Sequence, residues 1–161
     1  MRRPGVLLAL ITTAGLTACG PGAGGVACPD LGQSNGVALT VAANYAAQVD
    51  VVHLVACQDG GCHEADLELM PGSTSVDQGC TTDGVCSATA SPDGTKVGNL
   101  DLGVLTESPI TATVTGTAAG GALPVRSLVF KPSAGYPFGE QCPRYLSASV
   151  ILDSAGLQPA S

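Results

Sequence analysis

Tryptophan is absent from this chain, and only five aromatic residues occur among its 161: Tyr45, Phe130, Tyr136, Phe138 and Tyr145. So few rings do not suggest the aromatic platforms used in sugar binding. They also oblige any core to come from Val, Leu, Ile and Ala, a small-residue core that removes less apolar area from water per residue. Basic residues are scarce as well: six Lys and Arg face 13 Asp and Glu. The positive charge that would neutralise phosphates is missing, which argues against nucleic-acid binding. The same shortage argues against a polybasic grip on anionic lipid headgroups. Beyond the first residues there is no apolar run of about 20, so no transmembrane helix is expected. An EF-hand loop and Cys-x-x-Cys are also lacking, so the motifs of one ion-binding class and one thiol-redox class are missing.

What is present begins at the N-terminus, MRRPGVLLALITTAGLTAC. Two arginines precede a short apolar stretch, residues 6–14, which has the form of an export signal and is too short to span a bilayer stably. It ends in Leu16-Thr17-Ala18-Cys19, which resembles the lipobox of bacterial lipoproteins. That resemblance implies lipidation of the Cys19 thiol, cleavage of residues 1–18, and attachment to the extracytoplasmic side of the cell membrane. One acyl chain holds a protein only reversibly, whereas a diacylated cysteine supplies the second chain that durable anchoring needs. Residues 19–27, rich in Gly, then read as a flexible tether.

Cleavage there leaves 143 residues, enough for one domain with a core of its own. The 13 acids remain, against Lys96, Arg126, Lys131 and Arg144, so the net charge becomes −9. Six cysteines remain: Cys28, Cys57, Cys62, Cys80, Cys86 and Cys142. An even number in an exported chain reads as three disulfides. Cys57 and Cys62 bracket QDGG, and Cys80 and Cys86 bracket TTDGV, which favours two local pairs. Cys28 and Cys142 then join the ends of the domain. The competing scheme links the two local pairs crosswise between strands.

Hydrophobic alternation places strands at 37–41, 48–57 and 62–69. Apolar residues on both faces of 48–57 suggest a central strand, whereas Ala65, Leu67 and Leu69 alternate with Glu64, Asp66 and Glu68, as in an edge or outer strand. Residues 71–84 read as a connection. Ser91-Pro92-Asp93-Gly94 has the residues of a tight turn, so 85–102 is predicted to be a hairpin. After Pro109, Ile110, Ala112 and Val114 are expected to face inward. VRSLVFK is a second central-strand candidate, 132–145 a loop, 147–152 a final strand, and the rest a polar tail. Seven or eight strands separated by turn signals predict an all-β domain over 28–161. The favoured architecture is a two-sheet antiparallel sandwich with immunoglobulin-like, Greek-key connectivity.

Three groups of residues have chemical potential. Asp59, Cys62, His63, Glu64 and Asp66, with His53 on the preceding strand, contain metal-ligand types. Their spacing matches no metal motif, and packed or solvent-facing histidines are the simpler reading. Asp77, Asp83, Asp93 and Asp101 lie in or near predicted loops and are hard-oxygen donors without an ion-binding motif. Finally, Tyr136, Phe138, Arg144 and Tyr145 collect in one Pro- and Gly-rich segment, as a contact loop or as rings capping a small-residue core. No catalytic, cofactor or metal residue is assigned. A non-enzymatic binding or structural module for a protein or envelope component therefore leads. A small-ligand or metal-binding lipoprotein comes second and an envelope hydrolase third.

Overall fold

The alternation of residues 37–41 is realised as strand β1, Gly36–Val41, in which Val37, Leu39 and Val41 are all fully buried. In the computed structural model, which describes residues 27–30 and 32–160, β1 lies at the middle of one of two sheets packed as an all-β sandwich. The expected cleavage site and Cys19 lie outside the described residues.

On one side β1 pairs antiparallel with β5, Cys86–Asp101, whose other neighbour is β4, Met70–Cys80. On the other side it pairs with β10, Tyr145–Leu152, and here the strands are parallel. Short strands β9, Ser133–Gly135, and β11, Leu157–Pro159, share the outer edge of β10. The second sheet is centred on β2, Val49–Gln58, and β6, Ile110–Ala118. Strand β3, Gly61–Leu67, flanks β2, while β7, Gly121–Ala122, and β8, Arg126–Phe130, flank β6. One short helix, α1, Ala43–Ala46, joins β1 to β2.

The sequence β1, β2, β3, β4, β5, β6, β8 crosses repeatedly between sheets in Greek-key order. It places β1-β5-β4 against β3-β2-β6-β8, as strands B-E-D and C′-C-F-G lie in an immunoglobulin sandwich. The departure is β10. It takes the place beside β1 that a first strand would occupy, but runs parallel to β1, so the sandwich is not antiparallel throughout.

Between the sheets, Leu39, Leu54 and Ile110 are the largest fully buried side chains, surrounded by valines. Among the described residues no polar or charged side chain is buried. As the alternation requires, Ile110, Ala112 and Val114 point inward. In β2 a bulge between Val49 and Val51 turns both Val49 and Val52 to the core and leaves Val51 outside. Gly116 stands opposite Val52, and a Cβ there would lie 2.0 Å from the Val51 carbonyl oxygen. Only glycine fits. At Gly98 a similar economy lets Leu67 and Leu69 pack directly over β5, closing the core where the chain passes from β3 to β4.

Several expectations need correction. Residues 71–84 are mostly strand: β4 pairs with β5 from Met70 to the Cys80–Cys86 rung. Ser91-Pro92-Asp93-Gly94 is not a turn, because β5 runs unbroken from Cys86 to Asp101. The extra residues Asp93, Gly94 and Thr95 form a bulge opposite Gly72, where Asp93 Oδ1 accepts hydrogen bonds from Thr95 N–H and Oγ1–H. Strand β8 lies at an edge rather than at the centre, pairing only with β6 and exposing Val129. The polar tail includes β11, whose Leu157 closes onto the core.

Candidate functional site

The two ends of the sandwich differ, and register tells them apart. At one end β1 begins. Leu102 N–H donates to Asn35 O there, Gln58 Nε2–H donates to the Thr106 and Ser108 carbonyls, and Cys28 is joined to Cys142. The described chain begins here, at residue 27, so this is the N-terminal end of the sandwich. At the far end β1 finishes at Val41 opposite Lys96, α1 turns the chain, and Lys96 Nζ donates to Val49 O at 2.7 Å.

Beyond that rung α1 packs against β5 near Gly94, and β4 is the one strand still paired with it. The two strands continue outward as a ribbon, residues 73–92. Every residue of the ribbon is solvent-exposed except Ser91, which is half-buried. From Ser73 to Cys80 it extends about 25 Å at the usual rise of a strand. A two-stranded hairpin with no apolar face is marginal in water. This one is closed near its tip by the Cys80–Cys86 disulfide, Cα atoms 3.9 Å apart. Thr81 and Gly84 hydrogen-bond across the terminal turn. Val85, at the tip, is 66% exposed. The cysteine spacing signalled a local bridge, but the bulge residues resembled a turn and concealed the arm.

All three disulfides follow the pairing favoured from sequence: Cys28–Cys142, Cys57–Cys62 and Cys80–Cys86. Asp59 and Gly60 form the two-residue turn between β2 and β3, both with positive φ, as a primed hairpin turn demands. The Asp59 carboxylate is held below its ordinary pKa by hydrogen bonds from the Ser108 and Thr106 hydroxyls. Between this turn and the 102–106 loop is an open cleft of about 300 Å³, bordered by Asp59, His63, Val104 and Thr106.

His53 lies apart from His63, on the outer face of β2. Its Nδ1–H donates to Asp66 Oδ1 at 2.8 Å, and its Nε2 lies 3.9 Å from Glu64 Oε2. Both ring nitrogens thus face carboxylates on β3. Thr115 is opposite His53 in register on β6 but makes no hydrogen bond with it. Cys62 is committed to its disulfide. The loop aspartates stay separate: Asp77, Asp93 and Asp101 each accept a backbone N–H two residues ahead. Among the described residues no three His, Cys, Asp or Glu side chains are grouped to hold a metal ion.

The aromatic segment 131–145 lies at the N-terminal end, where Cys142 meets Cys28. Phe138 and Tyr145 meet edge to face at 5.9 Å, while Arg144 forms an ion pair with Glu107. Tyr136 is left 47% exposed beside an open depression shared with β9. The structure therefore uses two of the rings against each other and presents one. Compared with known protein families, curated proteins and solved structures, the chain gives no match.

Proposed function

We propose that the chain is a lipid-anchored, non-enzymatic binding module. Cys19 carries the lipid, residues 20–27 form the tether, and the sandwich presents its arm to a protein or envelope component outside the cytoplasmic membrane. The observation that carries this reading is the placement of residues 73–92. They add nothing to the core, and they project from the end opposite the point where the tether enters. A rigid sandwich holding an exposed, disulfide-closed element away from the lipid surface suits recognition better than chemistry. His53, held between two carboxylates, is not offered to a nucleophile, which weighs against the hydrolase reading. The cleft beside His63 supports a second reading, a small-ligand lipoprotein, since its volume is at the lower bound for such sites.

The test places a photo-crosslinking residue at Val85 on the arm or, as control, at Val129 on β8, which is equally exposed. Intact cells are expected to give a discrete adduct from position 85 and none from 129. Cys19→Ala is expected to leave an uncleaved precursor that no longer partitions into detergent and loses the adduct. Equal labelling at both positions, or none at 85, would remove the arm from the proposal. Unchanged partitioning of the Cys19 variant would remove the anchor.

A further inference from the structure

We infer that the free edge of β5, residues 87–91, is a docking edge that takes an extended, cationic peptide segment as an added strand. This deepens the reading of the arm as the binding element and rests on it. From Lys96 to Asp101 β5 pairs with β1, and at Lys96 and Val97 it is paired on both sides, to β1 and to β4. From Cys86 to Pro92 it has β4 alone. Every second residue there turns its N–H and C=O toward water, on the side of β5 that β1 occupies further along.

Edges of this kind are normally blunted by charge, proline or bulges. The outer edge of β4 is blunted in that way. It carries Pro71, a bulge at Gln78 and Gly79, and an Asp77 carboxylate that takes the Gly79 N–H. On β5 such features stand only at the boundary of the edge, Pro92 and the Asp93–Thr95 bulge, and residues 88–91 carry none of them. Ser87, Ala88, Thr89, Ala90 and Ser91 are small and uncharged, and the rungs of the last four to Asp77, Val76, Ser75 and Thr74 are regular. Main-chain pairing with such an edge gives affinity with little demand on the partner's side chains.

Charge identifies the partner's chemistry. Between Met70 and Thr95 the chain has Asp77, Asp83 and Asp93 and no Lys, Arg or His. A second copy brings the same acids and is repelled, whereas a segment bearing Lys or Arg is drawn in. The occupant is therefore a basic extended peptide of another protein.

The probe is a nine-residue peptide alternating Lys with Val and Thr, added to the full chain in non-ionic detergent and followed by amide hydrogen exchange. Alternate amides in 87–91 are expected to slow at least tenfold at saturation. The outer edge of β4 should not respond. A peptide of equal charge with Pro at alternate positions, which lacks the needed N–H groups, is expected to lose at least tenfold in affinity. The variant Ala88→Lys/Ala90→Lys is expected to lose as much while its β4–β5 amides stay protected, which shows the arm intact. Equal binding of the proline peptide, protection elsewhere, or no binding at millimolar peptide overturns strand addition. Crosslinking at Val85 that survives Ala88→Lys/Ala90→Lys also overturns strand addition, yet leaves the arm as the binding element. Its absence in the parent chain overturns the arm itself.

Discussion

Replacing Cys80 and Cys86 by serine is expected to open the arm without loosening the sandwich. The bond joins residues six apart, and the loop-entropy relation assigns a bridge of that span about 2 kcal/mol. Cys28 and Cys142 are 114 apart, and the same relation gives about 5 kcal/mol. Which equilibrium each contribution enters matters more than its size. The arm buries nothing, so its closed state competes only with its own open state. A loss of about 2 kcal/mol shifts that ratio by up to about thirtyfold. The Cys28–Cys142 bridge ties the segment before β1 to the loop before β10, two neighbouring strands of the core sheet, so its loss falls on global unfolding.

Two measurements separate the cases. In scanning calorimetry, Cys80→Ser/Cys86→Ser should leave the Tm within about 1 °C, whereas Cys28→Ser/Cys142→Ser should lower it by roughly 15–25 °C at a few degrees per kcal/mol. In native-state hydrogen exchange, the first variant should lose protection in 73–92 and keep it in β1, β2 and β6. A drop of more than about 5 °C in Tm for the arm variant would refute the reasoning, because a local opening cannot move a global midpoint so far.

Two further outcomes follow from single residues. Gly116→Ala sets a methyl group 2.0 Å from the Val51 carbonyl and should cost about 2–4 kcal/mol in urea unfolding; an unchanged midpoint would mean that the β2 bulge relocates freely. Asp59 has a folded pKa depressed by the Ser108 and Thr106 hydroxyls, so its contribution is present above its unfolded value, near 3.8, and is lost as pH falls through the folded value. The stability gap between the parent and Asp59→Asn should therefore hold steady from about pH 8 to about pH 5 and narrow below about pH 4. A gap of constant size down to about pH 2 would contradict the assignment.

Period-2 alternation carried much of the fold into view. It marked the inward residues of β1 and β6 and the edge character of β3, because those strands bury one face against a single core. The favoured disulfide pairing was legible from the spacing of two local cysteine pairs in an even set. The arm was not, for a physical reason: a ribbon exposed on both faces has no apolar alternation to reveal it. Its bulge uses the same Pro, Asp and Gly as a turn. The edge position of β8 was hidden as well. Val125 and Val129 look like core residues in sequence but stand in water. Of the residues gathered around His53 and His63, sequence gave proximity but not direction, and direction separates the His53–Asp66 contact from the cleft beside His63.

The parallel partnership of β1 and β10 sets an order on folding. A chain that emerges N-terminus first delivers β1 at once, yet one flank of that strand stays bare until residues 145–152 arrive. Its covalent staple, from Cys28 to Cys142, waits almost as long. Such distant pairing is slow and leaves apolar strands exposed in the interim. The sandwich therefore closes from both ends of the chain at once, late, and only after nearly all of the polypeptide has been delivered to one compartment.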